Sequence, residues 1–283
     1  MKRFAILFAT TAFVTPAIAA DVVYEEPPAP MAVMAAPTWT GFYIGIQGGA
    51  AFNPEDPDSL GLSSTFGNAT SVPGLTVNGV PNSSLASAFG SSFSSEFDES
   101  FIGGAHAGYD YQMGNFVLGG IIDINAVDIA QKQSAFSNTP AFYTAERSLD
   151  YLATARLRAG YTVTPTALAY VTGGLAYGEV DYSFSSNSPA ITAANPARVF
   201  EDEDDFGYTV GAGMEVKVTD NVSFGAEYLY TNLGGDSFTT LNGGPFDGNA
   251  TAGVTIPGQA TSFSSNDDFD FHTVTAKISY RFN

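Results

Sequence analysis

The side chains in this chain that could do chemistry are few. His106 and His272 are the only imidazoles, cysteine is absent, and Ser262, Ser264 and Ser265 lie shortly before His272. A serine beside a histidine is the minimal set for nucleophilic work on an ester or lipid, because the imidazole must take the hydroxyl proton. No His-x-Ser spacing puts the two on one strand face, so no catalytic residue is assigned and the chain reads as non-enzymatic. Without cysteine there is neither a disulfide framework nor thiol chemistry.

Carboxylates form a second group. Glu55-Asp56-Asp58, Glu96-Asp98-Glu99, the run Glu201 to Asp205 and Asp267-Asp268-Asp270 are acidic clusters between longer patterned segments. Hard oxygen ligands suit calcium or magnesium, and Glu201, Asp202, Asp204, Asp267 and Asp268 are the candidates for such a divalent cation. No spacing matches a defined calcium loop, and the clusters read first as a solvated, self-repelling rim. No cofactor is expected. The formal net charge of −19 argues against nucleic acid, whose phosphates demand a basic face.

The third group is ordered. Asp110, Asp123, Asp150, Glu215 and Glu227, and Arg156, Arg158, Lys217, Lys277 and Arg281, all fall on the polar side of segments with a period of two. In the last segment His272, Val274, Ala276, Ile278, Tyr280 and Phe282 alternate with Thr273, Thr275, Lys277, Ser279 and Arg281. The segment 149–161 sets Leu149, Tyr151, Ala153, Ala155, Leu157, Ala159 and Tyr161 against Asp150, Leu152, Thr154, Arg156, Arg158 and Gly160. Successive side chains of a strand point to opposite faces. In a closed barrel that spans a membrane, the apolar file meets lipid and the charges enter the lumen. A soluble lipocalin-like barrel, with an apolar interior, is the alternative fold.

Eight such segments recur: 39–52, 97–111, 116–126, 149–161, 167–182, 206–218, 222–230 and 268–283. Gln112–Asn115, Thr162–Pro165 and Thr219–Asn221 are tight turns, and long polar stretches (53–96, 128–148, 183–205 and 233–267) lie between the other pairs. Strict alternation of short and long connections is what an up-and-down barrel requires. Outer-membrane barrels have short periplasmic turns and long external loops. The expected fold is therefore all-β, an eight-stranded antiparallel up-and-down transmembrane β-barrel over 39–283, with both chain ends periplasmic. Lys2 and Arg3, the apolar run Phe4–Val14 and Ala17-Ile18-Ala19 form a signal peptide over 1–20, cleaved after Ala19 or Ala20. The stretch 21–38, rich in proline and alanine, reads as an extended linker.

Three stretches are familiar as a set: TWTGFYIGIQGGAAF (38–52), AYVTGGLAYG (169–178) and HTVTAKISYRF (272–282). With them the chain resembles the small alphaproteobacterial outer-membrane immunogenic proteins, part of the opacity-type, OmpA-like eight-stranded barrels. The resemblance implies a surface antigen of the cell outer membrane in the porin family. It also implies a terminal strand, with Tyr280 and Phe282, that is read by the barrel-assembly machinery, although here Asn283 follows the terminal aromatic. Partners would be outer-membrane lipid and lipopolysaccharide. The barrel would be a monomer with a structural or surface-interaction role; a small porin or a ligand-binding barrel, for haem as an example, is the second reading.

The lumen of eight strands is just wide enough for side chains to fill. The ten charges are therefore expected to pair there, with His106 among them. Ile122 and Val210 should sit at the bilayer midplane. Trp39, Phe116, Tyr161 and Phe282 should form one aromatic girdle, and Tyr151, Tyr177, Tyr228 and Tyr230 the other.

Overall fold

A computed structural model of the chain describes residues 38–54, 59–64, 76–77, 80–81, 89, 93–137, 141–189, 191–201, 206–234, 237–242, 260–265 and 268–282. The signal and linker segments up to residue 37, together with Asp202, Asp204, Asp267 and Asn283, lie outside these residues, as does the side chain of Glu201.

Eight strands close into one antiparallel ring: β1 (Gly41–Phe52), β2 (Ser100–Met113), β3 (Phe116–Ser137), β4 (Ala141–Thr164), β5 (Ala167–Tyr177), β6 (Phe206–Lys217), β7 (Val222–Asn232) and β8 (Asp270–Phe282). Each pairs with its neighbour in sequence, and β8 returns to β1, so the ring has no edge. The seam runs from Phe42 opposite Phe282 to Phe52 opposite His272. Closure is what lipid demands, because no water there can satisfy a bare strand edge. At one end the connections are tight, and Gly114 turns between β2 and β3 with a φ of 64°, a left-handed conformation that costs glycine nothing. Pro165 and Thr166 turn between β4 and β5, and residues 218–222 between β6 and β7.

The faces follow the alternation. Ile46, Ile122, Leu157, Leu175, Val210, Met214 and Ile278 all stand exposed on the outer wall, Leu157 the most at 76 %. Between them in sequence, Gln47, Asp123, Arg156, Arg158, Thr209, Glu215 and Lys277 are buried. From Tyr151 to Tyr161 on β4 is ten residues, which at a rise of about 3.3 Å and a tilt of about 40° spans about 25 Å, the height of an outer-membrane apolar band.

Several details differ from expectation. The stretch 128–148 is no loop: β3 and β4 have 22 and 24 residues and stay paired up to Ser137 opposite Ala141. The reason is that this extension is covered on both flanks and one face. Phe93–Asp98 pairs beside β3 and Val180–Ser186 beside β4. A second sheet, in the order Arg198–Glu201, Ser237–Asn242, Ala260–Ser265, Gly61–Ser64, faces them. Between the layers lies a dry core of Leu60, Phe89, Ala135, Ala141, Tyr143, Ala145, Tyr182, Leu241 and Phe263. The rings of Tyr143 and Phe263 stack at 4.8 Å. The far end of the barrel thus carries a small β-sandwich.

A second difference starts where that extension leaves the barrel. The β3–β4 register shifts between Ala126 and Ile129, and the alternation on β4 breaks across Asp150 and Tyr151. A break of one residue moves every side chain beyond it to the opposite face. Asp150 is therefore exposed instead of inside the lumen, and Leu149 is fully buried instead of facing lipid. The segment 167–182 is two strands, not one, parted at Gly178 and Glu179. Trp39, expected in a girdle, is fully buried at the turn end.

Candidate functional site

The inside of the barrel is built in layers. At the turn end, Trp39 packs with Val117, Leu168 and Tyr170. Its backbone N–H donates to Gln112 Oε1 at 2.7 Å, and two cations lie over its rings, Lys217 Nζ at 5.2 Å and the Arg281 guanidinium at 5.4 Å. Arg281 also donates to the carbonyls of Trp39 and Gly41. Both cations thereby tie the first residues of the barrel to strands made much later in sequence. Lys217 corrects the sequence reading. Its ammonium donates to the carbonyls of Thr38 and Asp220, not to a carboxylate, because it stands at the mouth beside the start of β1.

Above that layer is the ionic one. Arg156 reaches Asp123 at 2.7 Å and Glu227 at 3.0 Å, and Lys277 reaches the same Glu227 oxygen at 2.7 Å. Arg158 bridges Asp110 and Glu215, both at 2.8 Å, and Arg281 reaches Asp110 at 2.8 Å. These four acids and four bases come from six of the eight strands, and all are buried. Eight of the ten residues expected to pair are therefore brought together; Lys217 and Asp150 are not. A charge out of water is tolerated when it is paired and its remaining hydrogen-bond capacity is filled. Thr154 and Asn125 donate to Asp123, both at 2.6 Å, and Tyr170 donates to Glu227 at 2.8 Å.

Two buried tyrosines hold this layer in place. The Arg158 guanidinium lies between the rings of Tyr43, at 5.2 Å, and Tyr170, at 4.5 Å. The rings have room because glycines lie beneath them. A Cβ on Gly108 would stand 2.4 Å from the Tyr43 ring, and one on Gly213 would stand 2.6 Å from that of Tyr170. Glycine opposite an inward aromatic is the signal that sequence reading could have used.

The structure does make one Ser–His contact that spacing does not reveal. His106 Nε2 is 2.8 Å from Ser279 Oγ, the two lying on either side of Gly45 on β1. Its Nδ1 has no partner, so no acid orients the ring as a base, and Ser279 is also shared with Glu215 at 3.4 Å. Both side chains are buried. The pair is part of the buried polar core.

Toward the far end, Ala51, Ile102, Val127, Ile129, Leu149, Leu152, Ala176, Leu233, Phe269 and Phe271 form an apolar plug. Beyond it Arg147, which sequence reading left in a loop, is buried against Gln131 and the Phe269 ring, 5.5 Å away. The dry core of the sandwich follows. Concavities on the barrel are shallow grooves on the outer wall, lined by residues such as Gly120, Ile122, Leu157 and Gly173.

Of the rim carboxylates, Asp268 is exposed and accepts from Asn232 at 2.8 Å. Glu201 ends a strand of the second sheet. Among the described residues no three His, Asp or Glu side chains come together as a metal site. Tyr280 and Phe282 point outward at the turn end with ring centroids 5.0 Å apart, and Phe42 lies 5.8 Å from Phe282 across the seam.

The chain is similar to known outer-membrane proteins. The chain is 30 % identical over the whole of both chains to the 31 kDa outer-membrane immunogenic protein of Brucella melitensis. It is 26 % identical to the 25 kDa outer-membrane immunogenic protein of Brucella abortus, over 82 % of this chain and 81 % of that one. Among solved structures it is similar to the outer membrane protein OprG from Pseudomonas aeruginosa, with 14 % identity, a TM-score of 0.42 and coverage of 86 % of this chain and 97 % of that one. Residues 28–282 match the outer membrane protein beta-barrel domain. With the closed ring, the lipid-facing apolar wall and this match, the chain belongs to the outer-membrane β-barrel protein family.

Proposed function

We propose that this protein is a closed, non-catalytic membrane anchor that carries a folded β-sandwich on the cell surface. The observation that supports it most is the layered interior. The Trp39 layer, the ionic layer, the plug around Leu152 and Phe271 and the core around Phe263 succeed one another along the axis. A solute crossing the barrel would have to displace two dry layers as well as a neutralised ionic one. Its role is then envelope integrity and presentation of surface, in keeping with the immunogenic character that the names of its relatives carry.

In this reading the turn end, with both chain ends, is periplasmic and the sandwich is external. The protein is a monomer in contact with outer-membrane lipid and lipopolysaccharide, delivered by the barrel-assembly machinery through Tyr280 and Phe282. The acidic rim is free to gather divalent cations. Absence of an acid behind His106, and its enclosure, support a role without catalysis. Planar-bilayer recording tests the reading. Protein inserted in its folded form should add no stepwise conductance, and stable ohmic steps from the wild type would refute it.

A further inference from the structure

Asp268, just before β8, and Asp270 and His272, on it, follow each other at two-residue spacing, alternating with the buried Phe269 and Phe271. His272 is ten residues from Phe282, which places the two about 25 Å apart along the membrane normal. Tyr280 and Phe282 belong to the girdle at the turn end, so the imidazole stands at the opposite girdle. That is the depth of lipid headgroups. Asp270 is one step of about 6–7 Å farther out along the strand, and Asp268 another.

Around the imidazole the surface is built rather than incidental. Phe52 and Tyr230 lie directly opposite His272 on the two neighbouring strands. Ring centroids are 5.8 Å away for Phe52, 5.7 Å for Tyr228 and 5.2 Å for Tyr230. The Tyr228 hydroxyl is 2.5 Å from Nδ1. With the phenol donating there, the imidazole proton resides on Nε2, which no described residue engages. Asp270 accepts from Asn53, by its carbonyl at 3.0 Å and its carboxylate at 3.4 Å, and its side chain also hydrogen-bonds that of Tyr230, while Asp268 accepts from Asn232. Neither carboxylate has an ion pair among the described residues.

We infer that this file binds a zwitterionic phospholipid headgroup, one with a phosphate at the interface and an ammonium beyond it. The phosphate accepts from Nε2–H of His272, and the ammonium meets Asp270, with Asp268 above. The order of the groups carries the argument, since a donor below and acids above match a headgroup whose negative charge is deeper than its positive one. A headgroup bearing phosphate alone brings no cation of its own to the two carboxylates. The aromatic rings beside the imidazole offer an apolar floor for the glycerol and the first methylenes.

The inference uses the depth of the far girdle and not which leaflet it occupies, so it can fail while the surface-anchor reading stands, and the reverse. The test is native mass spectrometry of the full chain released from nanodiscs of equal phosphatidylethanolamine and phosphatidylglycerol with the same acyl chains. Phosphatidylethanolamine should be retained about tenfold over phosphatidylglycerol, the order that one charge-assisted hydrogen bond carries. Asp270→Asn should bring the two lipids level, and His272→Ala should lower retention of phosphatidylethanolamine. If His272→Ala does not fold, Tyr228→Phe, which releases the tautomer, should lower it instead. Tyr151→Phe at the same girdle should change nothing. Equal retention by the wild type, a preference for phosphatidylglycerol, or selectivity unmoved by the Asp270 and Tyr228 variants would overturn the inference.

Discussion

Replacing Arg156 by alanine removes the side chain that ties β4 to β3 and β7. Its guanidinium has no solvent exposure and holds Asp123 at 2.7 Å, Glu227 at 3.0 Å and Thr154 at 2.9 Å. After truncation Asp123 keeps Thr154 and Asn125, and Glu227 keeps Lys277 and Tyr170. Neither acid is orphaned, but the ionic layer goes from four bases against four acids to three against four. Breaking a buried pair by removing one partner costs about 3–5 kcal/mol, and the surviving donors argue for the lower end. Arg156→Lys keeps the charge and loses the fork, so it should cost about 1–3 kcal/mol. Asp123→Asn in the Arg156→Ala background restores charge balance, and the cycle should show a coupling of about 1–3 kcal/mol. The assay is urea unfolding in lipid vesicles, followed by the fluorescence of Trp39, the chain's one tryptophan and itself buried. The variant should also stay electrically closed, because the dry layers lie elsewhere. Unfolding of Arg156→Ala within about 0.5 kcal/mol of wild type, the range of ordinary surface changes, would refute the reasoning.

Two further outcomes follow from the same faces. Ile122, 60 % exposed on the outer wall, should reject arginine at a cost of about 2–4 kcal/mol, read as lost folding into vesicles; normal folding of Ile122→Arg would contradict the orientation of the wall. In the sandwich, burial pushes the Tyr143 phenol up to about 12. Between its ordinary value of about 10 and that value the unfolded chain releases a proton that the folded chain keeps, so this group's stabilisation is whole below pH 10 and declines as pH rises. Tyr143→Phe should reduce the alkaline loss of stability by about 2–3 kcal/mol at pH 12, measured against wild type.

What the sequence showed, and what it hid, divides at the membrane boundary. Within the bilayer one face must be apolar and the other enclosed, so a period of two suffices. Leu157 against Arg158, Met214 against Glu215 and Ile278 against Lys277 are all placed correctly by parity. Past the bilayer that constraint ends. The extension of β3 and β4 has alanine, tyrosine, glutamine and serine on its faces, a mixture that looks like a polar loop. Its burial depends on Phe263, Leu241 and Phe89 from distant stretches, which no local pattern links to it. Asp150 fails for a related reason, since one extra residue in the ladder reverses parity and leaves no compositional trace. Trp39 and Lys217 sit where the strand pattern stops, at a mouth whose geometry is set by residues of other strands such as Gln112, Val117, Leu168 and Arg281. His106 and Ser279 meet over Gly45 of β1, 173 positions apart in sequence, and only the closing β8–β1 seam brings them together.

The central claim is that the apolar file of each strand meets lipid while the ionic file is enclosed. A chain with no cysteine allows a direct test. Single cysteines placed at each position from Ala153 to Tyr161 on β4, carrying a nitroxide and reconstituted in vesicles, report collision with oxygen from the lipid side. The account predicts high oxygen accessibility at Ala155, Leu157 and Ala159 and low accessibility at Thr154, Arg156 and Arg158. The reverse phase, or a profile without a period of two, would contradict it.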